Sequence, residues 1–163
     1  MNLNSILFLI IIILIIYIYC YFIFPTSIII LQTTISDFNF NILTTRQPIV
    51  ISSHIQEKEK LIDAWFNYNY ITYDYQPDFT IWNHNKFKFL FFHSTDDTEI
   101  IIYKASFNSK PPETDDNIIA IKLQKDQSLI IPFKWKFFIT EPEKINIIGI
   151  HDLITSFLSL VFP

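Results

Sequence analysis

The sequence predicts a mainly β domain that follows a single apolar helix. Residues 6–24 are uncharged and contain neither Gly nor Pro. Beyond residue 67, short runs of β-branched and aromatic residues alternate with polar clusters, as strands alternate with turns in a β-rich domain. Between these two parts, only residues 54–66 show the apolar stripe of an amphipathic helix.

Residues 6–24 are predicted to cross a membrane once. At a rise of ~1.5 Å per residue, a helix of this length covers most of the ~30 Å hydrocarbon core of a bilayer. Aromatic side chains gather in its last turns, which suits the level of the lipid headgroups, and Pro25 then breaks the helix. We therefore expect a single-pass membrane protein whose partner through residues 6–24 is the lipid bilayer.

Two other interpretations of this segment are a cleaved signal peptide and a buried core helix. A signal peptide has a basic start and small residues at its cleavage site, whereas residues 1–5 hold no Lys or Arg and no such site follows. A core helix that is apolar on every face needs a larger domain around it. Orientation stays open, because no Lys or Arg precedes the segment and the first one after it is Arg46.

Composition excludes several classes of protein. The chain has 163 residues and a net charge of −4 without a basic stripe, so we expect no nucleic-acid partner. Its single Cys, Cys20, lies in the apolar segment, so the domain can form neither a disulfide nor a Cys-based metal site. One Gly in the whole chain excludes a Gly-rich phosphate loop.

The rest of the chain is divided into a linker at residues 25–43 and one domain at residues 44–163. Residues 54–66 predict the one short helix of this domain, and residues 152–162 fit either a last strand or a helix. Strands are predicted at residues 46–52, 68–75, 79–82, 87–93, 99–107, 118–123, 128–131, 135–140 and 145–150.

The most specific motif lies in residues 122–139, where an apolar strand, a proline and a second strand follow a short turn. This segment resembles the second signature of cupin and JmjC-like proteins, which runs Gly, five residues, Pro, one residue, Gly, two residues, His. In this chain Asp126 and Lys134 stand in the two Gly positions, Pro132 keeps the Pro, and Phe137 stands in the His position.

Two further features extend the resemblance to about residues 44–150. Residues 46–51 are similar to the Arg-x-Pro-hydrophobic opening of JmjC-like chains, and residues 87–104 followed by Pro111 and Pro112 resemble their central hairpin and Pro-containing loop. Within the motif itself, Trp135 matches one of the aromatic pair before their His. The implied fold is a double-stranded β-helix, a cupin-like barrel. Membrane-tethered domains of this size, rich in Ile and Asn, resemble proteins of large DNA viruses, which implies a viral membrane or virion component.

The family's iron ligands are replaced. Active 2-oxoglutarate oxygenases of this family bind Fe(II) with a His-x-Asp or His-x-Glu pair and a distant His. Neither pair occurs here, and the corresponding positions hold Thr80, Trp82 and Phe137. We expect no catalytic, cofactor-binding or metal-binding residues, no enzymatic activity, and a structural or interaction role. The alternative is a divergent oxygenase or small-molecule-binding cupin that uses other ligands.

Two other polar groups contain chemically useful residue types. Residues 93–97, with His, Ser, Thr and two Asp, predict a turn between strands rather than a site. His151 and Asp152 resemble a base and the residue that orients it, but neighbours on a strand point to opposite faces and do not converge.

The segment around Trp135 predicts a buried ring on an otherwise solvated strand. Lys134 and Lys136 flank the ring, so alternation places both amines on the solvent face. The same alternation predicts that Phe133, Trp135 and Phe137 share the inward face, where three aromatic side chains form part of a core.

Overall fold

The computed structural model describes residues 3–66, 68–108, 110–113 and 116–161. Ten strands form two sheets, and 29% of the chain is helical. The strands are β1 (Leu31–Thr33), β2 (Ile49–Ile51), β3 (Ile71–Asp74), β4 (Asn83–His84), β5 (Phe89–Ser94), β6 (Thr98–Tyr103), β7 (Ile119–Leu123), β8 (Ser128–Pro132), β9 (Lys136–Ile139) and β10 (Ile145–His151). The predicted mainly β fold with an N-terminal apolar helix is confirmed.

The N-terminal helix α1 (Leu3–Tyr21) is long and apolar enough to cross a membrane. Within its most apolar 18-residue window, no residue is buried against the rest of the described chain. Its last residue, Tyr21, is the exception, because the domain covers that side chain and leaves it 6% exposed.

The larger sheet has the strand order β1-β2-β8-β5-β10-β3. The β1–β2 pair is parallel and the other pairs are antiparallel. β1 lies inside the segment expected to be a linker and aligns Leu31 with Ile49. The smaller sheet is antiparallel throughout, with the order β4-β9-β6-β7.

The main hydrophobic core lies between the two sheets. Leu90, Phe92 and Leu129 of the larger sheet pack in one cluster with Ile102 and Phe137 of the smaller sheet. All five side chains are fully buried. The space between the sheets is therefore filled by aliphatic and aromatic groups.

A second core covers the other face of the larger sheet. Helix α2 (Lys58–Phe66) and a 3₁₀ helix (Phe40–Thr45) supply Ile62, Phe66 and Leu43 to this layer. Because both faces of the sheet are covered, every residue of β5 is buried, whereas buried and half-buried residues alternate in β6. This explains why β5 is an almost continuous apolar run in the sequence.

The C-terminal segment left open by the sequence is a helix, α3 (Leu153–Val161); Phe162 lies outside the described residues. The described part of the domain thus contains two short α-helices, α2 and α3, where the sequence predicted one. Asp152 begins α3 because its Oδ1 accepts a 2.7 Å hydrogen bond from the Thr155 N–H, the usual role of an Asp at a helix N-cap.

The prediction that Phe133 shares the inward face of Trp135 and Phe137 is wrong. Phe133 and Lys134 form the turn that joins β8 to β9, and Lys134 has a φ of 64°. Strand alternation does not extend through a turn. As a result, Trp135 and Phe137 lie in the core between the sheets, while Phe133 packs against Tyr21 and Leu158.

Candidate functional site

The positions that correspond to the family's iron ligands are placed as follows. Thr80 is exposed and binds the Asp78 carboxylate through its backbone N–H and its hydroxyl. The Trp82 ring lies 5.8 Å from that of Phe138. Phe137 is fully buried, with its ring edge-on to Phe92 at 5.2 Å between centroids. No group of three His, Cys, Asp or Glu side chains with metal-binding geometry occurs among the described residues.

The polar cluster at residues 93–97 forms the turn between β5 and β6, as predicted. His93 is buried at the end of β5, with its Nδ1 3.1 Å from the Ser128 hydroxyl. Burial and, next, the charge of Lys58 lower the pKa of His93, so it is neutral at pH 7. The arrangement is a satisfied core histidine beside an exposed turn.

Lys134 and Lys136 are buried, and the prediction of a solvated lysine face is wrong. The Lys136 Nζ donates a 2.8 Å hydrogen bond to the Lys110 carbonyl and lies 4.9 Å from the centre of the Tyr103 ring. The Lys134 Nζ lies 5.4 Å from the centre of the Phe107 ring. Burial lowers the pKa of both amines. Carbonyl and ring faces solvate these cations in place of water.

The most specific arrangement of polar groups lies where α1 meets the β domain. Tyr21, at the end of α1, packs edge-on to Phe133 at 6.2 Å and contacts Leu158 of α3. Ile18, one turn earlier, packs against the same cluster. The end of the apolar helix is thus held by side chains from the β8–β9 turn and from α3.

Asp152 connects three elements at this junction. Its Oδ2 accepts a 2.8 Å hydrogen bond from the Tyr21 hydroxyl and a 2.6 Å ion-paired hydrogen bond from the Lys88 Nζ. Its Oδ1 caps α3 through Thr155. The side chains of Asp152 and Lys88 are 13% and 22% exposed, so water screens this pair only in part.

The electrostatics of the pair agree with its geometry. Burial raises the pKa of Asp152, but hydrogen bonds from Lys88, Thr155 and Tyr21 together outweigh it and hold the pKa below its ordinary value. Burial lowers the pKa of Lys88, and the contact with Asp152 outweighs this effect and raises it. Both groups are therefore charged near neutral pH, as a carboxylate and an ammonium.

Arg46 joins the end of α1 to the core. Its Nη1 donates a 2.6 Å hydrogen bond to the Ile23 carbonyl, and its guanidinium lies 5.4 Å from the centre of the Tyr21 ring. Its own carbonyl accepts a 3.0 Å hydrogen bond from the buried Trp135 Nε1. Arg46 has a φ of 55° and caps the C-terminal end of the 3₁₀ helix.

A cavity of about 300 Å³ lies between the last turn of α1 and the domain. Its walls are mainly aromatic and aliphatic, and Arg46 and Lys88 are its two cations. The lining residues are Tyr17, Cys20, Tyr21, Phe40, Leu43, Thr44, Arg46, Tyr70, Lys88, Phe89, Pro132 and Phe133.

Sequence reasoning did not find this junction. The sequence pairs Asp152 only with His151, places Tyr21 only among the interfacial aromatic residues of the apolar helix, and suggests no role for Lys88. One available signal was an N-cap: an Asp directly before an apolar run, as at Asp152, predicts a helix start. No protein-family model matches the sequence, and no curated protein is significantly similar to it.

Proposed function

We propose that this chain is a single-pass membrane protein in which α1 spans the bilayer and holds a non-catalytic β domain against the membrane surface. The observation that carries the proposal is the docked junction, in which Tyr21, Asp152 and Lys88 form one hydrogen-bonded network. A flexible tether would leave the domain free to rotate, whereas this contact holds it against the end of α1. The domain then acts as a structural or interaction module.

The properties of α1 support a membrane span. Its 19 residues extend about 28 Å, close to the ~30 Å of a hydrocarbon core. Large apolar side chains are exposed on all its faces, which is unfavourable in water and favourable in lipid. Tyr17 and Tyr19 near its end suit the interface, where aromatic rings with one polar and one apolar side are enriched.

The strand order supports a double-stranded β-helix for the domain. Without its first two strands, the larger sheet reads β8-β5-β10-β3 and faces the β4-β9-β6-β7 sheet. Consecutive strands from β3 to β6 alternate between the two sheets, and so do those from β7 to β10, as expected for a chain wound around one barrel.

Backbone conformation supports the cupin-like resemblance at two residues. Asp126 and Lys134 both have a φ of 64°, and they occupy the two positions at which the signature has Gly. Gly is favoured at positive φ because it lacks a Cβ. Positive φ at these two positions supports the resemblance, although neither residue is Gly. The proposed place of the domain in a virion or viral membrane rests on the resemblance and the composition alone.

A non-catalytic role is supported by what fills the barrel. Phe137, which stands in place of a metal-binding His, contributes an aromatic ring to the same fully buried cluster as Phe92 and Trp135. A phenyl ring offers no lone pair to a metal ion.

Two experiments test the proposed function. After alkaline carbonate treatment of native membranes, the full-length chain should stay in the pellet at an unprocessed mass. Release of the chain into the supernatant, or removal of the apolar N-terminal segment by processing, would refute the membrane span. Calorimetric titration of the intact protein in detergent with Fe(II) or Mn(II) should give no heat of binding. Stoichiometric binding would instead favour the divergent-oxygenase alternative.

A further inference from the structure

Helix α3 is apolar on two opposite faces. Its inner face carries Leu158, 1% exposed, against Tyr21 and Phe133. On its outer face Leu153, Phe157 and Leu160 are 82%, 56% and 83% exposed, and their i, i+4, i+7 spacing places them in one stripe. We name these three residues the outer stripe of α3. An aqueous surface does not favour three adjacent large apolar side chains on one short helix.

The outer stripe belongs to a helix without charge. Residues 153–161 contain no Asp, Glu, Lys or Arg, and the polar side chains of the helix are Thr155, Ser156 and Ser159. Thr155 is buried, and the Ser159 hydroxyl donates its hydrogen bond to the Ser156 carbonyl within the helix. The helix can therefore enter an apolar medium without stripping water from a charged group.

The position of α3 identifies what covers the stripe. Leu158 and Ile154 pack with Ile18 and Tyr21, so α3 lies beside the last turn of α1. If α1 spans the membrane as proposed above, this turn lies at the boundary between headgroups and acyl chains. Tyr17 and Tyr19 flank Ile18 in the sequence and are exposed, so α1 has free surface at this level. A surface adjacent to a lipid-covered helix at the same depth faces the same lipid.

We propose that α3 is a second membrane contact, with its outer stripe inserted among the acyl chains of the bilayer beside α1. The domain is then attached to the membrane by two helices: α1, which crosses the bilayer, and α3, which lies within one leaflet. A helix that lies in the interface buries its apolar face at the boundary between headgroups and acyl chains. The inference rests on the proposed function, since it requires α1 in the bilayer.

Depth-dependent fluorescence quenching tests the contact on the full chain reconstituted in phosphatidylcholine vesicles. In a Cys20→Ser background, single cysteines at Phe157→Cys and Leu160→Cys carry an environment-sensitive NBD label. Both positions are exposed, so the label does not disturb the core. Ile11→Cys, within α1, reports the span itself, and Tyr68→Cys, 95% exposed after α2, is the control on the domain surface.

Labels at 157 and 160 should show blue-shifted emission and lose most of their fluorescence when the lipids carry brominated acyl chains, while the label at 68 should do neither. Quenching at 11 without quenching at 157 and 160 would overturn the second contact and leave the span intact. A blue shift at 157 and 160 without lipid quenching would place the stripe against protein and also overturn it. Absence of quenching at 11 as well would refute the proposed function and, with it, this inference.

Discussion

The hydroxyl of Tyr21 donates a 2.8 Å hydrogen bond to the carboxylate of Asp152, which lies 131 positions further along the chain. The same carboxylate oxygen accepts a hydrogen bond from Lys88, and the second oxygen caps α3. One side chain thus joins the apolar helix, the larger sheet and the C-terminal helix. Asp152 therefore supplies polar contacts that fix the domain against the end of α1.

Replacing Asp152 with Ala should destabilise the protein by about 2–3 kcal/mol, because it leaves the half-buried Lys88 ammonium unpaired and removes the cap of α3. Denaturant unfolding of the full chain in detergent measures the change. Glu141→Ala is the matched control, because its ion pair with Lys144 is more exposed and should contribute less than about 1 kcal/mol. Equal effects of the two variants would contradict the role assigned to Asp152.

The Tyr21→Phe variant keeps the ring packed on Phe133 and removes only the hydrogen bond to Asp152. We expect a loss of about 1–2 kcal/mol, typical of a hydrogen bond to a charged group. Tyr19→Phe, whose side chain is 65% exposed, should leave stability unchanged. The same unfolding assay compares the two, and an unchanged Tyr21→Phe protein would show that the docked end of α1 does not need this bond.

Trp135→Ala should cost about 3–5 kcal/mol, the usual range for deleting a buried large aromatic side chain. The variant also leaves the Arg46 carbonyl without its indole donor. Trp82→Ala removes the same side chain from a half-buried position and should cost about 1 kcal/mol. Melting curves followed by far-ultraviolet circular dichroism separate the two. A small shift for Trp135→Ala would mean that the core does not depend on this ring.

Gly149, the only glycine in the chain, lies where the ring of Phe87 rests on the backbone of β10. A Cβ at this position overlaps that ring, which Tyr75 and His151 hold in place from other sides. Gly149→Ala should therefore destabilise the domain by about 1–3 kcal/mol through overpacking. Adding Phe87→Leu should restore part of the loss, as measured by a double-mutant cycle in denaturant. If the free-energy changes of Gly149→Ala and Phe87→Leu simply add, the overlap of the new Cβ with the Phe87 ring is not the cause of the destabilisation.

As the pH is lowered, the domain should lose stability at pH values well above those at which carboxylates titrate. Burial, then the charges of Lys136, Lys134 and Lys86, lower the pKa of His84 to about 4. An unfolded His titrates near pH ~6.5, so between the two values the unfolded state binds a proton that the folded state does not. The contribution of His84 to stability is complete above about pH 6.5 and is lost as the pH falls toward 4.

Across this interval, the free energy of unfolding of the His84→Gln variant should therefore change less with pH than that of the native protein. The expected difference is about 1–2 kcal/mol, once solvent screening of a half-buried group is allowed for. Stability measured by denaturant unfolding at a series of pH values tests this. His54→Gln, at an exposed position, is the control and should retain the full dependence of the native protein. Parallel curves for the native and His84→Gln proteins would exclude His84 as the source.

The features that sequence reasoning predicted correctly are those encoded by neighbouring residues. The apolar helix follows from an uninterrupted run of residues, and most strands follow from alternating or continuous apolar runs between polar clusters. The strand predicted at residues 79–82 is wrong, because these residues form a turn before β4. The turn at Asp126 was local in the same sense, whereas Lys134 was predicted on a strand and lies in a turn. Burial of Lys136 was missed because alternation predicts which face a side chain occupies, but not whether another element covers that face. Burial of Lys134 was missed because this residue lies in a turn, where alternation does not apply.

The sequence by itself determined that an apolar helix precedes a β-rich domain, because hydrophobic periodicity is a property of adjacent residues. Only the tertiary structure decided that the helix docks on the domain. Tyr21, Lys88 and Asp152 come from three distant parts of the chain, and each has an ordinary local context. What brings them together is the winding of the strands between the two sheets, which places the end of β10 beside the end of α1. Contacts of this kind depend on the closed fold as a whole, and no short stretch of residues encodes them.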